Sequence, residues 1–319
     1  MESVRHYAHQ EVTQESPLNP KQETEPEKGS QRKKKKTYVP GLLLLLPILL
    51  FIFGFFVVPM LYILYLSFIY TDSPTATNAV FSLKNYMLFF SDSYYLSSLW
   101  ITVKVSLYTV LVSLLLGYPV ALTMAKSSPR VRGYIALLIA APLLVSIVVR
   151  NFGWYLLLLP NGTINSVLAS LGIIDSPLKL LFSEIGVIIG LSNAYLPFMI
   201  LAIATSLYNI DPSLERASAI LGASPLRSFF SVTLPLSLPG IVSGCVLVFS
   251  MSMSAYVTPA LMGGANVPMM PVVAYDQINN LLRWTFGSAL SYVLLATTMI
   301  MVTVFTRGFE KSKFREVFR

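Results

Sequence analysis

Cysteine, histidine and charge are what this 319-residue chain has least of: one Cys, two His and 12% charged residues. Cys245 has no partner for a disulfide within the chain and, set in an apolar run, reads as a small packing residue. His6 and His9 both precede the first apolar run, so no metal set and no catalytic pair can be assembled around them. No Gly-x-x-x-x-Gly-Lys-Ser/Thr segment occurs, so the chain lacks the loop that cradles ATP phosphates. Paired acids and histidine relays are absent from the apolar runs, which argues against proton coupling. We therefore expect no catalysis, no metal and no cofactor bound by this chain.

The charge deficit is also uneven. A soluble domain carries about 25% charged residues, whereas here residues 1–36 alone hold 8 of the 23 Lys/Arg and 6 of the 15 Asp/Glu. The remainder is an apolar body, 55% hydrophobic overall, with a mean hydropathy of +0.66. That describes a polytopic membrane protein of the all-α class. The net charge of +8 does not point to nucleic acid, because the basic residues gather at the ends of apolar runs rather than on a soluble face.

Three regions follow. Residues 1–36 have no apolar face to bury and end in Arg32-Lys33-Lys34-Lys35-Lys36; we expect an uncleaved, disordered tail whose lysines meet anionic lipid. Residues 37–308 form the membrane domain, and residues 309–319 a short basic tail. A span needs about 20 apolar residues, and six stretches qualify: Pro40–Phe68, Leu99–Ala125, Gly133–Leu158, Ile185–Leu207, Leu236–Met262 and Phe286–Thr306. Pro47 and Pro59 predict a kink in the first, and Arg150-Asn151 a break near the end of the third. The loop 263–283 is expected to re-enter or to lie along the interface. Eighteen of the 23 basic residues fall on one side of this arrangement. By the positive-inside rule that side, with both termini, is cytoplasmic.

Between the fourth and fifth spans lies a polar interruption, Asp211–Pro235. Asp211 is a good N-cap, Pro212 suits a first helical position and Gly222 suits a left-handed closing residue. Pro225 can open a second short helix, which Leu234-Pro235 would stop. Leu214, Ala217 and Leu221 fall on one strip of the first helix; Ala217 and Ser218 are small enough for close approach, and Glu215, Arg216 and Arg227 form a polar rim. Leu226, Phe229 and Phe230 are expected to anchor the second helix to the chain's own spans.

This loop resembles the coupling loop of permease subunits in bacterial ATP-binding-cassette importers, whose consensus reads Glu-Ala-Ala, three residues, Gly, nine residues, Ile, one residue, Leu-Pro. With the glycine at Gly222, the first three positions are Arg216, Ala217 and Ser218, the isoleucine position is Val232, and the closing pair is Leu234-Pro235. Arg216 thus stands where the family has glutamate, with Glu215 just before it. The segments Arg150–Trp154, Pro160–Asn165, Tyr195–Met199 and Tyr256–Gly264 are similar to the polyamine branch of the family. The resemblance implies a type I ABC importer permease in the bacterial inner membrane. It also implies a second homologous permease, an external solute-binding protein, and ATPase subunits on the cytoplasmic loop that use ATP and Mg. Related permeases for opines, aminoethylphosphonate and other small solutes share much of this wording.

For a substrate path the residues offer candidates with two readings each. Ser250 and Ser254 share a face with Ser243, and Thr258 lies at its edge; the face can line a path or serve small-residue packing. Asn193, Tyr195 and Tyr256 can receive an ammonium group or make ordinary interhelix hydrogen bonds. Glu184 and Asp276 are the acids placed to meet a cation at the outer mouth. Lys104 is expected to snorkel outward as a structural residue, and Arg150 to bind the receptor, pair with Glu184 or cap a helix end. Two functions of other classes stay open beside the importer: a secondary transporter or channel, which would work without an ATPase, and a membrane scaffold that uses the loop for assembly.

Overall fold

The computed structural model describes residues 39–71 and 80–310; the tail 1–36 and residues 311–319 lie outside the described residues, as does Asp72. The chain divides after Ile52. The first unit contributes α1 (Val39–Ile52), an unbroken run of apolar residues that carries Pro47. The second begins with a π turn, Phe53–Val57, and α2 (Val58–Ser67). The widened turn falls between Pro47 and Pro59, where the missing amide donors predict a kink.

Beyond a two-stranded antiparallel ribbon, β1 (Ile69–Tyr70) with β2 (Val80–Phe81), the regular elements among the described residues are helices. The helix α3 (Lys84–Ser91) leads into α4 (Ser93–Lys126). Then come α5 (Pro129–Ala140), α6 (Ile147–Leu158) and α7 (Thr163–Ser170). The longest later elements are α8 (Glu184–Tyr208), α11 (Leu234–Met253) and α14 (Trp284–Glu310). Short helices α9 (Pro212–Ile220) and α10 (Pro225–Ser228) precede α11; α12 (Val257–Met262) and α13 (Met270–Tyr275) follow it.

Five helical runs are long and apolar enough to cross a membrane, and the pair Pro129–Leu144 and Ile147–Ser170, bent by 92°, makes the sixth if taken as one span. The bend comes before the expected break. Pro142 sits in a 3-10 turn, Ala141–Leu144, and Val145 and Ser146 are extended, so the backbone turns there while Arg150 and Asn151 lie inside α6. The fifth span also differs. It ends at Met253, and Ser254–Tyr256 break the helix before α12, so Leu236–Met262 is not one rod. At its start the reverse holds: Leu234-Pro235 does not stop a helix. A π turn, Phe229–Thr233, absorbs the proline's missing donor, and the helical run is continuous from Pro225 to Met253.

The core is the packing of α8 between α4 and α11. Glycines bring these helices together: a Cβ on Gly240 would lie 2.5 Å from Ser206 Cβ, and one on Gly244 2.7 Å from Met199 Sδ. Lipid supplies no hydrophobic drive between helices, so such close approach and its dispersion contacts hold the bundle. The loop 263–283 packs against the helices. Met269 and Met270 are buried, and the Met270 amide donates to Thr102 Oγ1 at 2.7 Å, fixing α13 against α4.

Candidate functional site

Two places gather the residues singled out from the sequence. The first is the polar loop. Asp211 caps α9 by accepting from the Ser213 amide at 2.8 Å, and Pro212 occupies the first helical position. That amide bond, above all, holds the Asp211 carboxyl below its ordinary value. Gly222 has φ +82°, its amide donates to the Ala219 carbonyl, and Ala223 donates to the Ser218 carbonyl. This is a Schellman closure, which satisfies carbonyls left over at the helix end. Ser224 then caps α10 through the Arg227 amide.

The loop exposes large apolar side chains: Ile220 and Leu221 are 86% and 87% exposed, and Leu214, Leu226 and Phe230 are also exposed. Leu226 and Phe230 therefore do not anchor α10. A single turn has room for one inward edge, and Ser228 and Phe229 take it, with the Phe229 ring edge-on to Tyr118 of α4 at 5.7 Å. Arg216 and Arg227 are exposed, while Ala217 is exposed and Ser218 half-buried. Leu234 and Pro235 are half-buried in the first turn of α11.

Glu215 points the other way. Its Oε1 accepts from Thr233 Oγ1 at 2.7 Å, and its Oε2 meets Lys126 Nζ at 3.2 Å. The Thr233 hydroxyl first, and Lys126 after it, hold the carboxyl below its ordinary value against the opposing effect of partial burial. Neither partner is signalled by local spacing, since Lys126 and Thr233 lie 89 and 18 residues away along the chain.

The second place is a cavity of about 230 Å3 at the break between α11 and α12. Tyr195, Ser254, Tyr256 and Thr258 line it together with Ile147 and Met251. Tyr256 faces Tyr275 of α13 with ring centroids 4.4 Å apart. Behind the lining, Asn151 Nδ2 donates to Thr258 Oγ1 at 3.0 Å; both residues are buried, and Asn151 Oδ1 has no partner among the described residues. In the sequence Asn151 stands out as a break in the third span and as part of the Arg150–Trp154 segment. A buried amide inside an apolar run is itself the signal that would have found it.

The remaining candidates do not converge there. Asn193 is half-buried on α8 away from the cavity. Ser250 donates to its own helix at the Val246 carbonyl. Glu184 is paired with Lys104 at 2.6 Å, so Lys104 does not snorkel free, and Arg150 does not pair with Glu184; its Nη1 donates to the Pro142 carbonyl instead. Asp276 accepts from Asn280 at 2.8 Å in the turn after α13.

Residues 113–311, which include the loop and the cavity, match the family described as "Binding-protein-dependent transport system inner membrane component". The chain belongs to that family. It is thus a permease subunit of an ABC importer, multi-pass in the inner membrane. It is similar to the spermidine/putrescine transport system permease protein PotB of Escherichia coli (strain K12), 34% identical over 261 residues, 82% of this chain and 93% of that one. The PotB protein of Haemophilus influenzae is 33% identical over 254 residues, 80% and 88% of the two chains. Among solved structures, a bacterial ABC transporter involved in import of the acidic polysaccharide alginate shares the fold, with a TM-score of 0.68 at 17% identity, covering 88% of this chain and 97% of that one. A further alginate transporter structure, in complex with an alginate-bound periplasmic protein, matches with a TM-score of 0.67 at 17% identity, covering 87% and 95%. The overall fold is therefore shared with solved importer structures.

Proposed function

We propose that this permease moves a polyamine, spermidine or putrescine, inward through a pore formed with a second, homologous permease. The observation that carries the substrate is the similarity to two PotB proteins over four-fifths of the chain. The polar loop is cytoplasmic, as are both termini. Partner ATPase subunits, which use ATP and Mg, dock on its exposed face, formed by Leu214, Arg216, Ala217, Ile220, Leu221 and Arg227. An external binding protein delivers solute to the opposite side. In the pore the solute's ammonium groups pass the cavity of Tyr195, Ser254, Tyr256 and Thr258, where aromatic faces and hydroxyls take the place of water. Its chemistry is consistent with an amine, since tyrosine faces and neutral acceptors attract a cation without trapping it.

A second reading keeps the importer and changes the solute to another small amine. It is favoured by the Lys104–Glu184 pair, which neutralises one of the acids available to a polycation. Uptake competition decides between them. In vesicles holding the permease with its ATPase and binding protein, excess spermidine and putrescine should each suppress uptake and an anionic amine should not. Failure of both polyamines to compete removes the substrate and leaves the importer.

A further inference from the structure

We propose that Glu215 is the internal link of the loop, a two-armed clamp tying α9 to the ends of two spans, rather than a contact offered to the ATPase. This rests on the importer reading and goes one step beyond it. Both carboxylate oxygens are already engaged within the chain, one by Thr233 and one by Lys126. Thr233 is 3% exposed and lies in the π turn directly before α11; Lys126 is the last residue of α4. The two arms therefore end on separate membrane-crossing helices. Just beneath, Tyr118 of α4 and Ser237 of α11 share a hydrogen bond of 3.0 Å, so α4, α9 and α11 meet at one node. Glu215, Lys126 and Thr233 line one cleft of about 280 Å3 together with Ala219, Ala223, Ser228 and Phe229.

Arg216 occupies the position where the family has glutamate, and it is exposed. Successive helical residues point about 100° apart, so the helix can hold Glu215 inward and Arg216 outward at once. Each Glu215 oxygen already holds a partner within the chain, so a cation on another protein would share an acceptor that is in use. The Lys126–Glu215 pair is half-exposed, so it adds little to global stability. Its consequence is positional: a push on α9 is carried to α4 and α11 through short polar contacts.

The test is a charge-swap series, Glu215→Lys, Lys126→Glu and the two combined, with Glu215→Gln as the variant that keeps an acceptor for Thr233. Hydrogen exchange of the amides of residues 214–221 is measured on the purified permease in lipid discs. Solute moved per ATP hydrolysed is measured in vesicles with the ATPase and binding protein. Each single swap should raise exchange about fivefold, the upper range for such a pair, and lower the solute-to-ATP ratio while the ATPase stays bound. The double swap should return both to near the wild-type value, and Glu215→Gln should fall between. Single swaps that change neither readout overturn the clamp. So do single swaps that release the ATPase without rescue by the double, which would assign Glu215 to the partner. A wild-type chain that retains no ATPase overturns the importer reading instead, and the exchange series then still decides the clamp.

Discussion

At the scale of single residues, polar side chains in this protein act mainly by being satisfied. Thr258 is the sole hydrogen-bond partner of buried Asn151 among the described residues. Thr258→Val should therefore leave an amide without partners and cost about 1–3 kcal/mol, read as a lower midpoint in thermal unfolding of the solubilised protein. Gly190 marks the opposite requirement. A Cβ there would come within 2.6 Å of Met262 Sδ and 2.7 Å of Thr258 Cγ2, so Gly190→Val should push α12 off α8 and reduce the folded protein recovered from membranes. Glu215 adds a pH dependence. Its carboxyl is more acidic in the folded loop than in an unfolded one, so the clamp is complete above the ordinary carboxylate range and is lost as pH falls through the lowered folded value. Loop exchange should be insensitive to that carboxyl near neutral pH and rise on acidification below its ordinary value, and Glu215→Gln should abolish this step. The need for a polar residue at each of these points is readable from the chain. Which neighbour answers it is not, because Lys126, Glu215 and Thr233 are separated by long stretches of sequence and meet only when α4, α9 and α11 pack.

Elements divide along the same line. The short capped helix α9 was legible in detail, since Asp211, Pro212 and Gly222 do local work within a few residues of themselves. Gly222→Ala isolates that work: no atom lies within 4 Å of the new Cβ, so the cost is the left-handed backbone alone, about 1 kcal/mol. It should appear as faster exchange at the Gly222 and Ala223 amides, with α8 and α11 unaffected. The breaks in the third and fifth spans were misjudged, because hydropathy reports whether a stretch suits lipid and not where its axis turns. Val145-Ser146 and Ser254–Tyr256 are no more polar than their surroundings demand; the helix ends there because Pro142 withholds a donor in one case and α12 packs against α6 and α8 in the other.

For the whole molecule the accessible sides of the membrane are the first matter to check. With Cys245 replaced by alanine, a single cysteine at Ile220 should react with a membrane-impermeant maleimide only from the cytoplasmic side, and one at Asn161 only from outside. The converse pattern would invert the topology. Composition and charge placement were sufficient to establish an all-α membrane protein with six apolar stretches and one folded polar loop, because lipid permits only helices that satisfy their own backbone. They were also enough to resemble the right family, since the loop's caps and spacing are local. Tertiary structure alone decided that Tyr195, Ser254, Tyr256 and Thr258 share one cavity, that Glu184 belongs to Lys104, and that Glu215 turns inward. Those pairings depend on how far each helix is rotated and bent against the next, and in lipid that is set by close packing of small residues across distant parts of the chain, which no local pattern records.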